Sequence, residues 1–549
     1  MPSDPAAYVS AETFYYLLPE LLLGLAAIAL YVLGAFLPGG TSWSWSAAGA
    51  VIVAAAALWV TGDTTLTTGP VATDTLALWV RWLVLLLGFL LVLMGARTAA
   101  RGQPAEYYGS LLLVVTGLML TGTAHDLALI FVGLELISIP TYILLYLGRR
   151  DAHSQEATTK YFLLSVMTSA LMLYGFSFVY GVGGSTRLPE VAATLAAAGG
   201  ETEGLARLAP LAVVLLFAGL GFKIAAVPFH FYAPDVYQGT TPGNAGLLAI
   251  APKVAGFIIL LRIVVWALPG QEPLAGRLAL ILAALTMTVG NVVALWQDHV
   301  RRLLAYSSIA HAGYMLIGLA VGLATVEAAP EAMRFDGLSA LLFYLAVYAV
   351  ATCGTFAALT FLGRGDQSIE AVDDLAGVGR THPFTGGAMA VFMFSLAGIP
   401  PLAGFWGKLT LFAGAMSVPG AAGEAGLGGW FVGLAVLGVI NAAIAAFYYL
   451  RIISVMYFRA PRSIPRAEGG VGAWGAAMVA ALLLLVVGLW PAPLLDGTTR
   501  AVESARQRSS SLVAGAPAAD VPAADVPVDD ALAADQWPPL RRAYRDRIR

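Results

Sequence analysis

The sequence predicts an all-α, polytopic membrane protein with about fourteen transmembrane helices. It also predicts two inverted five-helix repeats, with breaks in helices 7 and 12. Three observations carry this prediction. The 549-residue chain is 59% hydrophobic and 11% charged, with a mean hydropathy of +0.79, whereas soluble domains carry about 25% charged residues. Apolar windows long enough to span a bilayer recur along the chain. Two of these windows are interrupted by prolines and glycines close to a lysine.

The apolar windows are long and continuous rather than alternating, which favours helices over strands. In chain order they lie near residues 14–37, 44–61, 74–96, 107–123, 126–147, 157–183, 208–232, 241–268, 275–296, 301–323, 338–362, 384–417, 429–458 and 472–495.

The connections between windows carry an uneven distribution of arginine, which orients the helices by the positive-inside rule. If the N-terminus is outside, the inner connections carry Arg97, Arg101, Arg149, Arg150, Arg301, Arg302, Arg364, Arg380, Arg459, Arg462 and Arg466. The outer connections then carry only Arg187, Arg207, Arg277 and Arg334. This bias predicts an even number of helices with both termini outside.

Two polar segments lie outside the windows. The inner connection 364–383 is consistent with a short helix along the bundle. From about residue 500 the chain becomes polar, with the Pro/Asp-rich stretch PAADVPAADVPVDD, which predicts a disordered or loosely extended tail. Its basic end, RRAYRDRIR, is expected to be solvated, with docking on a neighbouring subunit as the alternative.

The composition excludes several classes of function. A net charge of −3 gives no reason to expect a nucleic-acid partner. The single cysteine, Cys353, lies in an apolar run, which argues against a disulfide, a thiolate metal cluster or an iron–sulfur site. The chain has no nucleotide or flavin motif, so we expect no cofactor and no metal in it. Residues 1–13 lack a basic n-region, so no cleavable signal peptide is expected.

Lysine is rare, and its four positions all lie in apolar windows: Lys160, Lys223, Lys253 and Lys408. A desolvated lysine can release its proton near neutral pH, whereas arginine stays charged. Coding bias accounts for the low number of lysines but not for where they lie. The pattern therefore indicates sites where a proton binds and leaves.

Glu135 lies in the middle of the fifth window, in FVGLELISIPTYILL. A carboxylate in the hydrocarbon core marks a functional site by default. A structural ion pair between two helices is the alternative. Pro140 follows and is expected to loosen the helix.

Lys223 and Lys408 lie beside the two predicted helix breaks. In GFKIAAVPFHFYAPDVYQGTTP, Pro228 and Pro234 follow Lys223, with His230 between them. In GIPPLAGFWGK, glycines and prolines precede Lys408. Broken helices expose polar backbone at mid-membrane, as in secondary transporters. Lys223 precedes its break and Lys408 follows its own, so the two lysines are not expected to play identical roles.

Three further residues are candidates. Lys253 lies near the middle of the eighth window, too deep to reach the interface easily. Lys160 is nearer a helix end, where snorkelling competes with a role in proton transfer. His311 lies close to Ser307 and Ser308 and is either a relay through hydroxyls and water or a structural residue.

These groups suggest a mechanism. Glu135 close to Lys223 would hold the lysine charged, and moving the carboxylate away would favour transfer of the proton to Lys253. Charge pairs in a medium of low dielectric couple by several kcal/mol, roughly, which is enough to move a proton between sites.

At GLELISIP, GFKIAAVPFHFYAPDVYQGTTP, RRLLAYSSIAHAGYM and GIPPLAGFWGK, the chain resembles the antiporter-like subunits of respiratory complex I, the proton-pumping NADH:quinone oxidoreductase. The resemblance covers roughly residues 10–495. It implies fourteen helices and a proton path along a central polar axis. Among these subunits, one type usually has a glutamate at the helix-12 position where this chain has Lys408. Lys408 and the LELISIP motif therefore favour the subunit type that has a lysine there.

The resemblance also implies roles for individual residues. Glu135 matches the fifth-helix glutamate that modulates Lys223, and Lys253 matches the central lysine of helix 8. Lys408 matches a twelfth-helix lysine that faces the outlet. Further matches of this subunit type are Lys160 in helix 6 and His230 after the break.

The same resemblance implies a domain organisation. It comprises an N-terminal three-helix region (1–106), a first repeat of helices 4–8 (107–268), a second, inverted repeat of helices 9–13 (275–458), a last helix (472–495) and the tail (500–549). NADH, FMN, iron–sulfur clusters and quinone are then expected in other subunits. Expected partners are homologous antiporter-like subunits, small membrane subunits and the lipid bilayer. The expected location is the bacterial inner membrane.

Two other functions remain open at this point. The fold is shared with subunits of multi-subunit Na⁺/H⁺ antiporters, which exchange sodium for protons without NADH. The fifth-helix motif and the PDVYQG loop are closer to the complex I subunits. A structural spacer is the third reading, but a spacer gains nothing from buried lysines and Glu135.

Overall fold

The structure of the protein, a computed structural model, describes most of the chain. The described residues are 9–37, 42–66, 69–97, 102–149, 151–197, 207–326, 336–364, 367–418, 427–460 and 465–515. The predicted extended stretch and basic end of the tail lie outside this part, as do Arg101, Arg150, Arg334 and Arg462.

The described chain is almost entirely helical. The helices are α1 (Ala11–Tyr16), α2 (Leu18–Gly34), α3 (Ser42–Thr61), α4 (Thr75–Gly95), α5 (Pro104–Thr123), α6 (Leu127–Gly148), α7 (Ala152–Gly183), α8 (Leu188–Ala197), α9 (Ala209–Ile224), α10 (Tyr232–Gly239), α11 (Pro242–Leu260), α12 (Glu272–Ala294), α13 (Val300–Ala324), α14 (Gly337–Phe361), α15 (Val378–Thr381), α16 (Pro383–Ala397), α17 (Ala403–Ser417), α18 (Leu427–Phe458), α19 (Gly470–Leu489) and α20 (Ala492–Gly515). A five-residue π-helix, Leu261–Val265, continues α11.

Eleven helices of the described residues are long and apolar enough to cross a membrane. The chain is therefore a multi-pass membrane protein. Three predicted windows coincide with shorter helices instead. The window 14–37 contains the 17-residue α2, the window 208–232 contains α9, and the window 384–417 contains α16 and α17.

The two predicted helix breaks are confirmed, and both begin in the same way. The residue that follows the last turn, Ala225 after α9 and Gly398 after α16, lies in the left-handed backbone region, with φ of 58° and 86° respectively. In both cases two successive amides after the helix donate to carbonyls of its last turn. These carbonyls therefore have hydrogen-bond partners although the helix stops there. Pro234 does not break a helix as predicted. It is the third residue of α10, where an amide has no partner within the helix.

The bundle has two ends with different polar contacts. At one end, which we call the arginine-rich end, ion pairs join Arg149 and Arg301 to Glu370 and Arg302 to Asp235. A small antiparallel sheet lies there, in the strand order β2–β1–β3, with β1 at Leu362–Arg364, β2 at Gln367–Ser368 and β3 at Arg466–Ala467. At the opposite end, Arg187 pairs with Glu190, and α20 contacts the beginnings of α4 and α14.

Two buried ion pairs tie the N-terminal helices into the bundle. The guanidinium of Arg81 in α4 donates to both carboxylate oxygens of Glu20 in α2, at 2.7 and 2.6 Å. Arg262 in the π-helix donates to both oxygens of Asp74, at 2.5 and 2.8 Å. All four side chains are at most 3% exposed. Such pairs hold helices in register, because a buried charge that loses its partner destabilises the protein by roughly 3–5 kcal/mol.

Two predictions for polar segments were wrong. The tail does not become disordered at residue 500, because α20 continues to Gly515 and buries Ala501, Val502 and Ala505. The connection 364–383 is not one short helix. It contains β2, a turn of 3-10 helix at Val372–Leu375 and the single turn α15.

Candidate functional site

Lys223 lies at the end of α9, one residue before the helix stops, and is 4% exposed. Its ammonium donates to the hydroxyl of Ser138 in α6 at 2.7 Å and to that of Ser165 in α7 at 3.3 Å. The break therefore places this lysine between two neighbouring helices, with neutral oxygens as its direct partners.

Glu135 is half-buried on α6, one turn before Ser138. Its carboxylate accepts a hydrogen bond from Ser169 of α7 at 2.8 Å. The ion pairs among the described residues do not include one between Glu135 and Lys223. Ser138 lies one turn after Glu135 on α6, and Ser165 lies one turn before Ser169 on α7. The two serines that bind Lys223 are therefore neighbours, along their helices, of Glu135 and of its partner. The proximity suggested by the sequence thus takes the form of two adjacent hydrogen-bonded sites.

Lys253 lies in α11, 1% exposed, and faces α13. Its ammonium donates to the backbone carbonyl of Ser308 at 2.5 Å and also contacts the Ser308 hydroxyl. That hydroxyl is 2.7 Å from the hydroxyl of Tyr348 in α14. The tyrosine in turn donates to the carbonyl of Ala249 at 3.1 Å. Lysine, serine and tyrosine thus form a continuous buried hydrogen-bonded group.

His311 lies one turn after Ser308 on α13 and is held through both ring nitrogens. Nδ1 is 2.6 Å from the hydroxyl of Tyr344, and Nε2 is 2.9 Å from that of Tyr449. Tyr449 also bonds the hydroxyl of Ser307. The sequence placed the two serines beside this histidine, but the hydrogen bonds of its ring run to tyrosines of α14 and α18.

Lys408, 4% exposed on α17, reaches back across the second break. Its ammonium donates to the carbonyls of Leu396 and Ala397 at 2.9 Å each, the last two residues of α16. It also lies 4.9 Å from the ring centre of Tyr314. A cation at the carbonyl end of a helix is favoured by the helix dipole. Lys408 therefore contacts the backbone at its break, whereas Lys223 contacts side chains of other helices.

A small cavity lies between the partners of Lys253 and Lys408. Its volume is about 10 Å³, and its lining includes Ser308, Tyr348, Thr352, Thr355 and Leu396. A cavity of this size has room for about one water molecule, and the hydroxyl groups in its lining can hydrogen-bond to that water. The cavity thus brings the Ser308 group close to the end of α16.

Lys160 lies elsewhere, at the arginine-rich end, with its side chain 42% exposed. It pairs with Glu156 at 2.7 Å and with Asp235 at 3.1 Å, and Asp235 also pairs with Arg302 at 2.6 Å. The expectation that all four lysines lie where water is scarce was therefore wrong for Lys160. Its position near a helix end lets the ammonium reach polar surroundings.

A polar cleft of about 410 Å³ opens around Lys160. Its ionisable lining residues are Arg149, His153, Glu156, Lys160, Asp235, His299 and Glu370. Burial lowers the pKa of His299 to about 4, and the neighbouring Arg301 acts in the same direction. His299 is therefore neutral near pH 7, and the carboxylates carry the negative charge of the cleft.

His230 lies in the turn between α9 and α10 and is half-buried. Its Nδ1 is buried without a hydrogen-bond partner among the described residues. The structure does not bring this histidine into the hydrogen-bonded groups of Lys223 or Lys253.

Several polar residues of the site were not identified from the sequence. They are Ser138, Ser165, Ser169, Tyr314, Tyr344, Tyr348 and Tyr449. The only available signal was spacing, since Ser165 and Ser169, like Tyr344 and Tyr348, are four residues apart and share a helix face.

The family described as NADH:quinone oxidoreductase/Mrp antiporter, TM, matches residues 124–423, more than half of the chain. This range contains all seven candidate residues. A subunit of the Mrp complex from Dietzia has the same fold, with a TM-score of 0.76 over 91% of this chain and 99% of that chain, at 20% identity.

Two matches are closer in sequence. A chain of respiratory complex I from Thermus thermophilus aligns with a TM-score of 0.70 at 35% identity, covering 87% of this chain and 98% of that chain. NADH-quinone oxidoreductase subunit N of Trichlorobacter lovleyi is 38% identical over 81% of this chain and 87% of its own length. The chain therefore belongs to the NADH:quinone oxidoreductase/Mrp antiporter transmembrane family, and within it resembles subunit N.

Proposed function

We propose that this chain is a proton-translocating membrane subunit of an NADH:quinone oxidoreductase. Protons move along the buried axis of Glu135, Lys223, Lys253, His311 and Lys408. The energy comes from quinone reduction in other subunits, which also hold NADH, FMN and the iron–sulfur clusters. The partners are homologous antiporter-like subunits and small membrane subunits of the same complex.

One observation carries the proposal. Three lysines that are at most 4% exposed each lie against neutral oxygens of the protein rather than in an ion pair with a described residue. A buried ammonium without a counter-ion is costly, since desolvation favours its neutral form. A lysine in such a place is explained if it releases and rebinds its proton during turnover.

The hydrogen-bonded groups suggest the order of transfer. The polar cleft at the arginine-rich end, with Asp235 and Lys160, is the uptake mouth. Ser165 and Ser138 connect Lys223 with the Glu135 site. Ser308 accepts hydrogen bonds from Lys253. The water-sized cavity beside Ser308 and Leu396 supports transfer onward to Lys408. His311 is a relay within this order. His230, which lies in the turn after the first break and outside the hydrogen-bonded groups of Lys223 and Lys253, is a further candidate relay.

The finer topology is part of the proposal. Together with the eleven long helices, α2 and the two broken helices make fourteen spans. The similar endings of α9 and α16 support two inverted repeats, 107–268 and 275–458, after an N-terminal region 1–106. The protein then lies in the bacterial inner membrane with the arginine-rich end inside and both termini outside.

The test is NADH-driven proton uptake by reconstituted vesicles that contain the assembled complex. Replacement Lys223→Ala should reduce uptake by about tenfold or more, because losing one transfer group raises the barrier by at least about 1.4 kcal/mol. Glu135→Gln should reduce turnover in the same direction.

The control Lys223→Arg separates proton transfer from structure. Arginine keeps the positive charge but does not release its proton in proteins. We expect Lys223→Arg to be as inactive as Lys223→Ala, with the complex assembled in both cases. Normal pumping by the arginine variant would reject a role in proton transfer. Sodium exchange that proceeds without NADH would favour the antiporter alternative instead.

A further inference from the structure

A second cleft, with no lysine in its lining, lies between α4, α14 and α20 near the opposite end of the bundle. Its volume is about 810 Å³. Its walls include Trp79 and Trp82 of α4, Ala346 of α14, and Arg500 and Glu503 of α20. The function proposed above uses none of these residues.

The cleft changes from polar to apolar along α4. The hydroxyl of Ser504 accepts a hydrogen bond from the amide of Thr75 at 3.1 Å, which places the polar part of α20 at the first residue of α4. Leu83 and Leu86 line the cleft further along the helix. The rise from Thr75 to Leu86 is about 16 Å at 1.5 Å per residue. A ligand of this cleft therefore needs a polar head and an apolar chain.

The tryptophans support the same orientation. Trp79 and Trp82 lie between the polar and the apolar parts of the wall. Trp82 packs edge-on against Trp59 of α3, with ring centres 6.4 Å apart. Tryptophan is enriched at the level of lipid headgroups, where its ring is apolar and its N–H is polar. The position of the two tryptophans on α4, between Thr75 and Leu86, fits a cleft that passes from headgroup depth to acyl-chain depth.

The polar rim offers both signs of charge. Arg500 and Glu503 are exposed, lie within one turn of each other on α20, and form no ion pair with another described residue. A guanidinium binds a phosphate through paired hydrogen bonds. A carboxylate beside it attracts an ammonium group and repels a second anion.

We propose that this cleft binds a zwitterionic phospholipid with a primary amine in its headgroup. Arg500 binds the phosphate, Glu503 binds the ammonium group, and one acyl chain lies along Leu83, Leu86 and Leu494. A purely anionic lipid would face Glu503, and a quinone would leave both charges without a partner. The bound lipid would attach α20 to α4 and α14 in addition to the direct contacts.

The experiment is native mass spectrometry of the full-length chain, delipidated in detergent and then mixed with equal amounts of phosphatidylethanolamine and phosphatidylglycerol. We expect one phosphatidylethanolamine to be retained with at least tenfold preference. Arg500→Ala should lower retention of phosphatidylethanolamine at least fivefold. Glu503→Gln should remove the preference, because the repulsion of an anionic headgroup is lost.

The control is Asp496→Asn, which changes an exposed charge of the same helix outside the cleft and should leave the preference unchanged. Equal retention of the two lipids by the unmodified chain would overturn the proposal. So would an unchanged preference in Glu503→Gln, a conservative exposed substitution that is not expected to disturb folding. Retention of added ubiquinone in place of either lipid would identify a different ligand and also reject it.

Discussion

At the scale of single residues, the site consists of lysines whose partners are hydroxyls and backbone carbonyls. Ser308 has a central position, because its hydroxyl contacts Lys253 and lies 2.7 Å from the hydroxyl of Tyr348. A serine in this place connects the ammonium of one helix with the tyrosine of another. Removing it leaves Lys253 with one carbonyl partner.

We expect Ser308→Ala to lower NADH-driven proton uptake by about fivefold or more. A hydrogen bond contributes about 1 kcal/mol, and 1.4 kcal/mol is about tenfold in rate. Uptake is measured in vesicles with equal amounts of assembled complex. Ser110→Ala is the matched control, since Ser110 is a fully buried serine of α5 outside the site. An equal loss in both variants would mean that Ser308 has only a packing role.

The sequence predicted the lysines and Glu135 but not the residues that bind them. Charged groups in apolar windows are conspicuous because they are costly there. Serine and tyrosine are common in such helices, and a serine there often bonds the carbonyl one turn back, as Ser110 does with Glu106. Glu20, Arg81 and Arg262 are equally conspicuous in the sequence, but nothing in the sequence indicates that Arg81 pairs with Glu20 and Arg262 with Asp74.

At the scale of elements, the two broken helices end alike and are used differently. The sequence predicted both breaks from proline and glycine. It also indicated Gly398, since glycine adopts positive φ readily. Ala225 gave no such signal, because alanine has no preference for the left-handed region. Because Ala225 is not a glycine, substitution of this residue tests whether α9 ends in the left-handed region.

We predict that Ala225→Gly raises the free energy of unfolding by about 1 kcal/mol, because a left-handed residue with a Cβ costs about 1–2 kcal/mol. The next residue, Ala226, is equally buried but has no positive φ. Ala226→Gly should therefore lower stability by about 0.5–1 kcal/mol. Thermal unfolding of the purified protein measures both. Shifts of the same sign in the two variants would contradict a left-handed Ala225.

At the scale of the whole molecule, buried charge joins the first helices to the helices that follow. Asp74 precedes α4 and its oxygens also cap that helix, accepting from the amide of Ala77 at 2.8 Å. Its partner Arg262 closes the far end of the helix that carries Lys253. The pair therefore links the start of α4 to the end of the helix that carries Lys253.

Asp74→Asn keeps the helix cap and removes only the charge. We expect it to destabilise the protein by about 3–5 kcal/mol, because Arg262 would remain buried without its partner. Asp373→Asn is the control, since Asp373 pairs with Arg459 at an exposed position, 36% and 57% accessible, and should cost at most about 1 kcal/mol. Thermal unfolding and the yield of folded protein report the difference. Similar losses would show that the Asp74 pair is not desolvated.

The predicted class of fold, most windows and the arginine-rich end agree with the structure, because hydropathy and charge act over whole helices. The boundary at residue 500 did not agree. The stretch TRAVESARQR contains good helix formers, and Ala501, Val502 and Ala505 share one face that packs on the bundle. The polar composition suggested disorder, but a short apolar face is enough to pack a helix against a bundle that is already folded. Arg500, Arg506 and Arg508 then add positive charge to the end that the connections had left poor in arginine.

The enclosure of His311 by phenol groups has a consequence for direction. Imidazole and phenol each give and receive hydrogen, so the bonds from Tyr344 through the ring to Tyr449 can all reverse together. A wire of this kind favours neither side. In the proposed function, the direction in which protons cross this chain of bonds therefore depends on the proton affinities of the groups at its two ends.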